Sequence, residues 1–173
     1  KERPAPFSRF DALSIALVDA AKCRIESGIN LGGDHSDTVT LDKVRPVTIN
    51  PAPKDFDQTQ LMLMGGVARS LQIAGALESM LEISVRYSNE RVAFEKKISK
   101  FQAVQHNLAR LAGESAAALA AATSAADAIA NATTFNDEVF LEAVAAKIRC
   151  AEAAEKGGAI AHHQHATAGG QGL

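Results

Sequence analysis

The chain has 173 residues, with 18 Lys and Arg against 20 Asp and Glu, a formal net charge of −2, and 47% hydrophobic residues. That length suits one domain or slightly more, and the apolar share is enough to fill a buried core. The balanced charge excludes a polybasic nucleic-acid arm or an acidic disordered tail, and no run of about 18 apolar residues exists to span a bilayer.

Residues 1–56 read as short β elements. The apolar run Ala12–Val18 has strand length and ends at Asp19. Cys23-Arg24-Ile25 leads into Gly28-Ile29-Asn30-Leu31-Gly32-Gly33-Asp34, where turn-forming residues are dense. Thr38–Asp42 alternates with period two, as does Val44 to Ile49 around Pro46. Such alternation predicts strands with one buried face. Four strands this short bury too little to stand alone, so the segment reads as the remnant of a larger β domain. Pro51-Ala52-Pro53 marks a boundary, because two prolines remove donors and push their neighbours into extended backbone.

From residue 57 onward the period becomes helical. Asp57 to Gln60 offers a capping box, and Leu63, Val67, Ala74, Leu77 and Leu81 share a face, predicting a helix over 57–88. Gly65-Gly66 inside it costs about 1 kcal/mol per glycine relative to alanine, which predicts close backbone packing there. A second helix over 95–131 carries Ile98, Phe101, Val104, Leu108, Leu111, Ser115, Ala118, Ala122 and Ile129, with an alanine-rich half suited to a tight crossing. Caps among Thr133 to Asn136 start a third helix over 137–165, with Phe140, Val144, Ile148, Ala151 and Ala159 expected on its inner side. The fold class is therefore mainly α: three long antiparallel helices in 57–173, after a few short strands. Three such helices leave an apolar flank for a fourth, which predicts a homo- or hetero-oligomer.

Candidate chemistry is concentrated at the junction of the first two helices. An arginine just before a helix start faces the same way as the unpaired amides of that start, so Arg91 together with those amides makes an anion site for a phosphate or diphosphate. Phe94 and Phe101 offer flat apolar faces, and Gln102 an amide able to read a heterocycle edge. The competing reading is that Arg91, Lys96, Lys97 and Lys100 form a solvated corner over core phenylalanines. His162, His163 and His165 have no acid or cysteine at ligand spacing, so no metal site is assigned, and their place at a helix C-terminus suits the helix dipole. There is no nucleophile elbow, P-loop or dinucleotide fingerprint, and no carboxylate pair marked for acid–base work. Cys23 and Cys150 stand far apart, and Lys1–Pro6 lacks the apolar core of a secretory signal, which points to a reduced, cytoplasmic setting.

The run Arg91-Val-Ala-Phe94-Glu-Lys-Lys-Ile98-Ser-Lys-Phe101-Gln102-Ala-Val-Gln105 resembles the acyl-CoA dehydrogenase signature R-x-x-F-G-x-x-I-x-x-F-Q-x-x-Q. Ala161 to Gly169 resembles a later family segment, A-H-Q-x-H-G-A-I-G, and Gly28 to Val44 resembles the end of the family's middle β domain. The resemblance implies an FAD-dependent oxidoreductase of fatty acid metabolism, acting as a dimer or tetramer. Its reaction removes an α-proton from an acyl-CoA thioester and passes a β-hydride to flavin, leaving a trans-2-enoyl thioester. By motif position, Arg91 would pair with the FAD diphosphate of a neighbouring subunit, Ala93, Phe94, Ile98, Phe101 and Gln102 would line the adenosine side, and Gly169 would meet FAD from a glycine-rich turn.

Three departures qualify that picture. Glu95 stands where the signature has glycine, placing a carboxylate near a diphosphate site unless it turns away or pairs with Lys96 or Lys97. Ala166 replaces the glycine after His165. The position at which some members carry the catalytic base at the start of the first helix falls near Gly65, so no catalytic residue is assigned and the chain alone is expected to be inactive. The alternative reading is a non-catalytic helical oligomerisation module or degenerate subunit.

Overall fold

The computed structural model describes residues 13–53 and 56–167; side chains of 164–167 are not described. The chain divides into two compact units, Lys1–Asp57 and Gln58–Leu173.

Among the described residues, the first unit holds four short strands: β1 (Ser14–Leu17), β2 (Arg24–Glu26), β3 (Thr38–Thr40) and β4 (Thr48–Pro51). They form two antiparallel pairs, β1 with β4 (Leu17 opposite Thr48) and β2 with β3 (Ile25 opposite Val39). The loop between β2 and β3 is tied by Asn30, whose Oδ1 accepts the amides of Gly32 at 2.8 Å and Asp34 at 3.0 Å. Gly28 is required here, because a Cβ would lie 2.5 Å from the Ser36 carbonyl oxygen. The expected buried face is not formed within this unit: Ile15, Leu17, Val39, Leu41, Val47 and Ile49 are all exposed. Two-stranded ribbons have no second layer to cover them.

The second unit is a three-helix bundle of α1 (Gln58–Glu90), α2 (Gln102–Asn131) and α3 (Asp137–Thr167). A hairpin, β5 (Val92–Ala93) and β6 (Lys96–Lys97), separates α1 from α2. The turn into α3 is capped as its residues predict, with Asn136 Oδ1 accepting the Val139 amide at 3.0 Å and Asp137 and Glu138 in the first turn.

The core is built from small side chains. Ala74, Leu77, Leu111, Ala118, Ala122, Cys150, Ala153 and Ile160 form one cluster, and Val67, Ala125, Ala143 and Ala146 another. The stripes expected on α1 and α2 are buried or half-buried throughout. The one expected on α3 is not: Phe140 and Ile148 are exposed, as are Ala151 and Ala159, and Val144 is only half-buried. The inner face is instead Val139, Ala143, Ala146, Cys150, Ala153 and Gly157. Short side chains win that position because three helices in mutual contact leave little room between axes. The glycines follow the same logic. A Cβ on Gly65 or Gly66 meets nothing within 4 Å, against the expected close packing, whereas one on Gly157 would lie 2.6 Å from Leu77 Cδ2 and 3.1 Å from Leu111 Cδ1.

Candidate functional site

The junction between α1 and α2 holds most of the residues singled out in the sequence. Arg91 is where the chain leaves α1. Its amide still donates to the Tyr87 carbonyl at 2.9 Å, while its own carbonyl accepts the Ile98 amide at 2.9 Å. That second bond closes the hairpin, in which Val92 lies opposite Lys97 and Ala93 opposite Lys96. Phe94 and Glu95 form the two-residue loop, with φ of 52° and 63°. Positive φ at both central residues is the type I′ geometry that matches strand twist, and it is normally filled by Asn-Gly or similar pairs. A residue with a Cβ pays about 1–2 kcal/mol for it.

This geometry corrects the expected start of the second helix. α2 begins at Gln102, not near 95, because the hairpin and a 3₁₀ turn over Ile98–Lys100 occupy the intervening chain. Arg91 thus adjoins the carbonyl end of α1 rather than the amide end of α2. Its suitability for an anion rests on neighbouring cations, not on a helix N-terminus. Around it, Lys96, Lys97 and Lys100 are exposed, against the exposed carboxylates of Glu90 and Glu95: four positive charges to two negative.

The other predicted residues divide by burial. Phe94 is 76% exposed and meets the half-buried Phe101 edge to face, with ring centroids 6.4 Å apart and planes at 88°. Gln102 is exposed at the first turn of α2, and Ala93 is half-buried. Ile98 is only 6% exposed and faces inward, so it anchors the hairpin to the bundle and offers no surface. Gln105 Nε2 donates to the Ser99 carbonyl at 3.0 Å, pinning the 3₁₀ turn to α2. Gly169 lies outside the described residues. His162 and His163 are exposed near the end of α3, and the side chain of His165 is outside the described set. Among the described residues, no group of three His, Cys, Asp or Glu is arranged to hold a metal ion, and no helix is long and apolar enough to cross a membrane.

Two features were not visible in the sequence. Glu114 on α2 accepts a hydrogen bond from Arg149 Nη2 on α3, with Lys156 Nζ at 3.8 Å, and the Arg149 guanidinium holds the Glu114 carboxyl below its usual range. The residues are 35 apart, too far for any helical spacing rule to pair them. Between α1 and α3 runs a groove of about 560 Å³ lined by Ala76, Met80, Ile83, Gly158 and Ala161. At this groove the buried Ser84 Oγ has no hydrogen-bond partner among the described residues.

Against known proteins, a family profile described as "Acyl-CoA dehydrogenase, C-terminal domain" matches residues 58–172. Among solved structures, the chain is similar to a variant of the Tcur3481-Tcur3483 steroid ACAD, with 26% identity and a TM-score of 0.68. That match covers 88% of this chain and 39% of the other, so the chain spans well under half the length of its structural relative. No curated protein matches it.

Proposed function

The chain belongs to the acyl-CoA dehydrogenase family, and from that premise we propose that it serves an FAD-dependent acyl-CoA dehydrogenase by supplying the subunit interface and one wall of the flavin site. The observation that carries this reading is the hairpin closed by Arg91 and Ile98, which sets a basic, partly aromatic tip between α1 and α2. A dinucleotide diphosphate bears two negative charges, and the tip offers four cations against two carboxylates. The residues therefore fit the group. Arg91, with Lys96 and Lys97, would hold the diphosphate, while Phe94 and Gln102 would face the adenosine portion.

FAD, when bound, supplies the two-electron acceptor for α,β-dehydrogenation of an acyl-CoA thioester. The residues of this chain bind and orient; none is assigned to move the α-proton, and Gly65 has no carboxylate to do so. The relative named as a steroid ACAD suggests testing steroid-bearing thioesters beside fatty acyl ones.

The partner contacts follow from surfaces that the chain leaves apolar. Phe140, Leu141 and Ile148 are exposed on α3, and the α1/α3 groove contains a buried hydroxyl without a partner among the described residues. A further helix packed there would cover both and complete a four-helix arrangement, as bundle architecture favours. Residues 1–56 are read as the remnant of the family's middle β domain, whose exposed Ile15, Leu17 and Ile49 a larger sheet would bury.

The test is spectroscopic. Purified protein that absorbs near about 450 nm, or whose melting temperature rises with added FAD, supports the reading through the linkage of binding to stability. A colourless protein with no FAD-induced rise contradicts it.

A further inference from the structure

Resting on the flavin reading above, we propose that Glu95 sets the affinity of this junction: its carboxylate opposes the dinucleotide diphosphate that Arg91 and the hairpin lysines attract. Three observations support this. The first is position. With Val92 opposite Lys97 and Ala93 opposite Lys96, Phe94 and Glu95 are the two loop residues, so Glu95 is held at the tip unless the hairpin itself opens. The two strand residues Val92 and Ala93 and the loop residue Phe94 separate it from Arg91, a Cα separation of roughly 10 Å. That is close to the Debye length of about 8 Å at physiological ionic strength, and the extended side chains shorten it further.

The second observation is that the charge is not cancelled locally. Lys96 and Lys97 follow Glu95 directly in sequence, yet among the described residues Glu95 makes no hydrogen bond or ion pair. Its side chain is exposed to solvent. Its carboxylate therefore adds directly to the field that a bound diphosphate experiences.

The third is the backbone. Glu95 holds φ of 63°, where glycine would sit without strain. Charge and strain are thus two separable consequences of one residue. Glu95→Gln removes the charge and keeps the Cβ, whereas Glu95→Gly removes both.

The experiment titrates FAD into the wild-type chain, Glu95→Gln, Glu95→Gly and a control, Glu82→Gln. Glu82 is exposed on α1, about 13 Å of helix before Arg91, and its substitution changes net charge equally. At about 20 mM ionic strength, Glu95→Gln is expected to tighten FAD binding about three- to tenfold, a gain that shrinks below about twofold in 0.5 M salt. Salt at this level does not screen Glu82 fully over about 13 Å, so Glu82→Gln should tighten binding by a smaller factor than Glu95→Gln. Glu95→Gly should match the gain and also raise the melting temperature without ligand, which Glu95→Gln should not. Unchanged Kd in Glu95→Gln, or an equal gain in Glu82→Gln, overturns the inference while leaving flavin binding intact. FAD uptake by none of the four proteins overturns the flavin reading itself, and this inference with it.

Discussion

The Arg91 carbonyl accepts the Ile98 amide at 2.9 Å, and Ile98 is itself buried at 6% exposure. The hairpin that presents Arg91, Phe94 and the lysines is therefore fastened at its base, by a backbone bond and by an apolar side chain driven into the bundle. Truncating that anchor should loosen the presentation and the fold together. Ile98→Ala is expected to lose about 2–4 kcal/mol in urea unfolding, within the usual range for emptying a buried isoleucine site. A loss under about 0.5 kcal/mol would mean that the hairpin is not secured this way.

The bundle glycines give predictions of opposite sign. Gly157→Ala pushes a methyl against Leu77 and Leu111, which are themselves fully buried and have no room to retreat. The helix propensity gain of about 1 kcal/mol offsets part of an overpacking cost of about 1–3 kcal/mol. Net destabilisation is expected, visible as a lower melting temperature. Gly65→Ala meets open space and should stabilise by about 1 kcal/mol.

These glycines also show how far the sequence could be read. Leu63, Val67, Ala74, Leu77 and Leu81 on α1 were legible because large and small apolar residues share one helical face. On α3 the large residues, Phe140 and Ile148, lie outside, and the inner face is alanine, Cys150 and Gly157. Hydrophobicity ranks size first, while a tight three-helix contact selects for smallness, so the wrong stripe looked stronger. The hairpin was hidden for a related reason. Phe94-Glu95 carries no glycine or asparagine to announce positive φ, and the lysines after it read as helix. The junction stood out through its likeness to a family signature rather than through its chemistry, because an arginine, two phenylalanines and an amide at those spacings equally suit a solvated corner over a core.

The ion pair across α2 and α3 predicts a pH dependence. Arg149 lowers the folded-state pKa of Glu114, so the stabilisation is fully present above the ordinary glutamate value of about 4.3. It is lost as pH falls from there through the depressed folded value, because the unfolded chain then binds the proton first. Glu114→Gln should cost about 1–3 kcal/mol at pH 7 and flatten this part of the acid-unfolding profile. An unchanged profile in the variant would show that the pair contributes nothing.

The two thiols should react differently. Cys150 is fully buried, its Sγ 3.5 Å from the Ala118 carbonyl oxygen, and burial pushes the thiol pKa up. Both effects suppress the reactive thiolate. Thiol titration of native protein should count one fast group, the partly exposed Cys23, and a second only in denaturant. Two fast groups in native buffer would contradict the packing of α3.

The most direct measurement is FAD affinity in Arg91→Ala against wild type, with the melting temperature of each unliganded protein measured alongside. If Arg91 grips the diphosphate, the variant retains its fold and weakens FAD binding by about tenfold or more, the usual scale for a lost charge-assisted contact. Equal FAD affinity in a folded Arg91→Ala protein would contradict the account.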